Sequence, residues 1–136
     1  MELKLIEREH QKKSPEPRLS ISIRGVLNFT YPAMELMGIS NESKINFYQD
    51  QVSNQNWFIG VNDTGNITVR QIKKSGRASA VDVTRKIIDS YYHIGKKSLK
   101  FKLKEPIHQN EMKLYPLELI KSSLKQEIPD YNRPLD

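Results

Sequence analysis

No cysteine occurs in the 136 residues, which removes disulfides, thiolate metal sites and cysteine nucleophiles from consideration. Histidine is scarce: His10, His93 and His108 lie far apart, with no partner at metal-ligand spacing. The sequence has no phosphate loop ending in Gly-Lys-Ser/Thr, no glycine-rich dinucleotide fingerprint, no paired-carboxylate motif and no nucleophile elbow. The expectation is therefore a protein that is not an enzyme and carries no metal and no small-molecule cofactor. Long apolar runs are missing too. None reaches the roughly 18 residues of a spanning helix, and charge is scattered through Met1 to Lys13 where a secretory signal would be apolar. No membrane partner is expected, and the cytoplasm is the expected compartment.

Hydrophobic residues make up 37% of the chain and charged residues 28%, a balance that suits one modest core with polar ends. The net charge of +6 is unevenly placed. Between Gln71 and Lys104 ten Lys or Arg stand against Asp82 and Asp89, a surplus of +8 that leaves −2 for the remainder. Positive charge gathered in one segment is the pattern of a face that meets phosphate or another acidic partner.

Residues 1–18 mix both signs and end in Ser14-Pro15-Glu16-Pro17, an extended arm or linker, although Leu3, Leu5 and Ile6 could dock as a short element. Leu19 to Ile23 alternates apolar and polar, the period of a half-buried strand, and Val26 to Phe29 resumes it after Gly25. Thr30 or Tyr31 can cap a helical turn that begins at Pro32 and stops at Gly38. Strands follow at Ile45 to Phe47, Trp57 to Val61 and Ile67 to Ile72, and the last two are expected to pair as a hairpin. Lys74-Ser75-Gly76-Arg77 is expected to close it as a turn. Asp82 is the expected N-cap of a helix over Val83 to His93, with Val83, Ile87, Ile88, Tyr91 and Ile94 on one apolar side. Ser98 to Lys104 alternates cleanly and Met112 to Leu119 returns beside it. Residues 121–136 read as a loose tail. The fold class is α+β: mostly antiparallel sheet, a small barrel or sandwich, with one principal helix and one short helical turn, in a single domain over 19–120.

The sharpest candidate site is the stripe of Lys100, Lys102 and Lys104, preceded by Lys96 and Lys97. Alternate side chains on a strand are about 7 Å apart on one face, a pitch that can follow a phosphate backbone; the same lysines also suit an exposed face that resists edge pairing. Lys73, Lys74 and Arg77 around Gly76 form a second candidate, either an anion-holding turn or a solvated one. Trp57, Phe58, Tyr48, Tyr91 and Tyr92 offer stacking surfaces for bases or core packing. Trp57 is most simply a core anchor, and Tyr92, lying off the apolar helix side, is the possible stacking residue.

From Arg24 the run Arg-Gly-Val-Leu-Asn-Phe-Thr-Tyr-Pro-Ala-Met-Glu-Leu-Met-Gly-Ile resembles the signature of AbrB/MazE-type swapped-hairpin transcription factors. Leu36-Met37-Gly38-Ile39 matches the helix exit of that family and Ile45-Asn46-Phe47 the strand after it, so the resemblance spans residues 19–73. It departs in four places. Pro32 falls two positions later than the usual proline, Glu42-Ser43-Lys44 replaces a Gly-Asp turn, the loop from Gln51 to Asn56 is longer, and the basic residues ahead of the helix are reduced to Arg24 alone. The resemblance implies an intertwined homodimer and DNA contact near the first hairpin, and Arg24 is the one basic residue it carries over. Together these readings lead to the expectation of a non-catalytic DNA-binding protein with a regulatory role that uses the basic 71–104 segment. The alternative is a structural or protein-interaction domain, an accessory or phage-encoded component, with no nucleic-acid ligand.

Overall fold

A computed structural model of the chain describes residues 2–4, 16–91 and 98–120. The described elements run β1 (Arg18–Ser22), β2 (Val26–Phe29), α1 (Tyr31–Met37), β3 (Lys44–Gln49), β4 (Trp57–Val61), β5 (Ile67–Thr68), β6 (Arg70–Ile72), β7 (Ser75–Ser79), α2 (Val81–Ser90), β8 (Ser98–Leu103), β9 (Ile107–Gln109) and β10 (Met112–Leu119). The strand alternation survives folding. Leu19 and Ile21 of β1 and Leu99, Phe101 and Leu103 of β8 are all buried, while the residues between them face outward.

All strand pairs are antiparallel, in the order β5-β3-β4-β10-β8-β1-β2-β7-β6, with β9 attached to β10. The sheet curls into a nearly closed barrel because β5 and β6 are two halves of one run, parted at Val69. The first half pairs with β3 and the second with β7. At the parting, Val69 N–H donates to the Ser43 carbonyl (2.8 Å) and the Val69 carbonyl accepts from Glu42 N–H (2.7 Å). One short run thus joins the two ends of the sheet, and Val69 itself is fully buried. The sheet removes most of its own edges in this way.

The two helices sit at opposite ends of the β2–β7 pair. At one end, where Phe29 pairs with Gly76, α1 follows β2; at the other, where Val26 pairs with Ser79, α2 follows β7. Thr30 begins α1 by accepting from Ala33 N–H, Pro32 occupies the first turn, and Gly38 ends it with φ 66°. Ala33, Met34 and Met37 bury the inner side of α1. In α2, Ile87 and Ile88 enter the core. Trp57 Nε1 donates to Ser90 Oγ (2.9 Å), Ser90 Oγ donates to the Ile87 carbonyl (2.6 Å), and Tyr91 O–H donates to the Gln55 carbonyl (2.8 Å). Trp57 is a core anchor, only 5% exposed. No buried side-chain nitrogen or oxygen among the described residues lacks a partner.

Several expectations are corrected. Trp57–Val61 does not pair with the run after it; β4 lies between β3 and β10, and β5 returns along the far side of β3. Residues 75–77 are not a turn. The turn is Lys73–Lys74, and Gly76 lies within β7 facing inward, where an added Cβ would meet Met34 Sδ. The N-cap of α2 is Ala80, which gives no side-chain bond, and Asp82 sits one residue inside the first turn, accepting from Val83 N–H (2.9 Å). Leu3 is 90% exposed, and Leu5 and Ile6, the rest of the element expected to dock, lie outside the described residues. The helix expected to reach His93 is described to Ser90, and the tail over 121–136 lies outside the described residues. No described helix is long and apolar enough to cross a membrane.

Candidate nucleic-acid interface

Because every neighbouring pair on the β8–β1–β2–β7–β6 side is antiparallel and in register, outward residues line up across the strands. Lys100 pairs with Ser20, Ser20 with Asn28, Asn28 with Arg77, and Arg77 with Arg70. Neighbouring strands lie roughly 4.8 Å apart, so this row crosses about 19 Å of surface. It has a lysine at one end, two arginines at the other, and two neutral hydrogen-bonding residues between. The flanking row toward α2 contains the Ser98–Ser22 pair, and that toward α1 the Lys102–Arg18 pair.

The charges differ in freedom. Glu16 accepts from Arg18 Nη2 (2.9 Å) and Nε (3.2 Å) and lies 3.6 Å from Lys102 Nζ. The Arg18 hydrogen bond, then the Lys102 charge, holds the Glu16 carboxyl below its ordinary range. Lys104 Nζ lies 3.7 Å from Glu118. These pairs are exposed and add little stability, but they offset two of the three lysines in the stripe. Lys100, Arg77 and Arg70 have no such carboxylate among the described residues.

Of the residues singled out from the sequence, the structure brings Arg77, Lys100 and Lys102 onto one outer face. Lys104 lies at its margin, toward β10. Lys73, in the left-handed region (φ 59°), and Lys74 form the β6–β7 turn at the α1 end, with Lys74 Nζ 5.4 Å from the Tyr31 ring centroid. Arg24 is exposed in the β1–β2 turn, at the α2 end, so it does not join Lys73 and Lys74. Lys96, Lys97 and Tyr92 lie outside the described residues. Two cations on this face, Arg18 and Arg70, fall outside the basic segment. Arg70 shares strand parity with Thr68 and Ile72, but its place opposite Arg77 follows only from the register.

The other side of the barrel has a different chemistry. Tyr48 and Phe58 are direct partners on the outer face of β3 and β4, and with Met112, Leu114, Gln49 and Val52 they line a groove of about 530 Å³. Tyr91, by contrast, is buried against Phe101, with ring centroids 5.7 Å apart. No group of His, Asp or Glu suited to a metal ion occurs among the described residues. Comparison of the chain with family models, with curated proteins and with solved structures finds no match in any of the three.

Proposed function

We propose that this chain is a non-catalytic nucleic-acid-binding barrel that meets DNA through the outer face of β8, β1, β2, β7 and β6. The observation that carries this reading is the in-register row of Lys100, Ser20, Asn28, Arg77 and Arg70, whose cations have no carboxylate partner among the described residues. Phosphate neutralisation supplies affinity without reading sequence, and Ser20 and Asn28 add neutral donors between the charges. The AbrB/MazE-type resemblance adds Arg24 and a homodimer to this reading, which sedimentation equilibrium would test. Fluorescence anisotropy with a DNA oligonucleotide across a salt series is the direct measurement. Three cations without a carboxylate partner among the described residues give an expected slope of log K against log salt of about −2 to −3. Lys100→Glu with Arg77→Glu is expected to weaken binding far more than Lys104→Glu, whose lysine already has a carboxylate partner. Equal effects, or binding indifferent to salt, would remove this face from the argument.

A further expectation concerns Glu16. Glu16→Gln releases Arg18 and Lys102, so DNA binding is expected to tighten and the salt slope to steepen by roughly 0.9 for each cation released. The depressed Glu16 pKa gives the pH counterpart. Its contribution to folding is present at neutral pH and is lost as pH falls through the depressed value, and protonation there frees the same two cations. An unchanged slope in the Gln variant would show that the Lys102–Arg18 row does not touch the ligand.

A second reading, a protein-interaction domain, is favoured by the Tyr48–Phe58 groove on the opposite side. It predicts no salt-sensitive DNA shift and an effect of Phe58→Ala on capture of a protein partner.

A further inference from the structure

Where β6 leaves β7 to run into β5, the outer surface opens into a groove of about 440 Å³ lined by Thr68, Arg70, Ile72, Arg77, Ala78 and Ser79. Arg70 and Arg77 are direct register partners, so their Cα atoms are about 4.5–5.5 Å apart. Both side chains are exposed, and neither has an ion pair among the described residues. Like charges placed directly opposite on a strand pair disfavour the sheet. An uncompensated arginine pair is therefore a cost in the free protein that a bound anion would remove. Guanidinium forks suit the tetrahedral phosphate group in a way that two ammonium groups do not.

We infer that Arg70 and Arg77 form an anchor site for one phosphate group, with the hydroxyls of Thr68 and Ser79 as flanking donors. This deepens the nucleic-acid reading and rests on it: the seam would fix one phosphate while the rest of the row follows the backbone. Ile72, 49% exposed at the groove edge, gives the sugar an apolar surface. The shared chemistry is a phosphate oxyanion, whose source is either a backbone diester or a terminal monoester.

The test compares the wild-type chain with Arg70→Gln/Arg77→Gln, with Arg70→Lys/Arg77→Lys and with Lys100→Gln. Inorganic phosphate is titrated while the arginine Nε–Hε resonances and the melting temperature are followed. A labelled oligonucleotide is titrated with and without a 5′-phosphate. Saturable movement of two arginine resonances is expected, with a phosphate-dependent rise in melting temperature that the Gln pair loses and the Lys pair largely loses. At low salt without phosphate the Gln pair is expected to melt no lower than wild type, since it removes a repulsion. Its oligonucleotide affinity is expected to fall about tenfold or more, and further than that of Lys100→Gln. A gain from the 5′-phosphate assigns a monoester site, and equal binding assigns a diester. If phosphate moves neither arginine and the Gln pair binds the oligonucleotide like wild type, the anchor is overturned while the nucleic-acid reading stands. If phosphate binds at the pair but no oligonucleotide binds, the nucleic-acid reading falls and the oxyanion site remains.

Discussion

Gly25→Ala is expected to destabilise the protein by about 2–6 kcal/mol, the sum of backbone strain and overpacking of roughly 1–3 kcal/mol each. Gly25 holds φ at 100°, where side chains are strained, and an added Cβ would stand 2.8 Å from Val81 Cα and 2.9 Å from Val81 N. Those atoms are backbone at the start of α2 and cannot swing aside. The turn is also tied at both of its polar groups: Gly25 N–H donates to the Ser22 carbonyl (2.9 Å), and the Gly25 carbonyl accepts from Ala80 N–H (2.8 Å). The matched control is Gly38→Ala, which has φ 66° but nothing within 4 Å of an added Cβ. It should show the conformational penalty alone, about 1–2 kcal/mol. Urea denaturation of both variants decides the matter, and equal losses would mean that the β1–β2 turn is not clamped against α2.

Phe101→Ala is expected to cost about 3–5 kcal/mol, because a fully buried aromatic leaves a cavity that its surroundings only partly fill. Phe101 is 0% exposed, between Leu19 and Leu119 in the sheet register, with the Tyr91 ring against it. The same substitution carries a spectroscopic signature. Burial pushes the Tyr91 hydroxyl from 10.0 up to about 12. Between those values the unfolded chain ionises first, so the stability this tyrosine contributes is intact below about pH 10 and is lost as pH rises toward 12. Admitting water beside the ring should bring its ionisation back toward 10, seen by ultraviolet titration of tyrosinate. Because the Glu35 hydrogen bond also raises Tyr31, the Tyr91 signal is assigned by difference from a Tyr91→Phe variant. A Phe101→Ala protein in which Tyr91 still titrates late and little stability is lost would show that Tyr91 is not packed on this ring.

The sequence made local features readable and long-range ones obscure, for a physical reason. Alternation at residues 19–23 and 98–104 reports which side of a strand is buried, since side-chain direction has a period of two. Thr30, Pro32 and Gly38 announce a helix through capping chemistry that involves only near neighbours. Pairing is another matter. Nothing in Trp57–Val61 says that its neighbours are β3 and β10 rather than the next strand in the chain. Gly76 escapes a local reading, because Lys-Ser-Gly-Arg has turn composition whereas the glycine is there to leave room for Met34. The basic stripe was legible from its spacing, but Glu16, from the segment just before β1, and Glu118, from β10, which offset part of it, arrive from elsewhere in the chain. Arg70 gains its significance only by standing opposite Arg77.

The pairing of β1 with β8 sets Arg18 against Lys102, so β1 finds this partner only after β2 to β7 and both intervening helices have been made. Strand β4 waits in the same way for β10. Such distant pairings slow folding, and β1 and β2, already joined as a hairpin, must remain uncommitted until β8 emerges. During that interval the Leu19–Ile21 side of the hairpin has no barrel interior to enter. Self-association of nascent or truncated chains that stop short of β8 follows from this wiring.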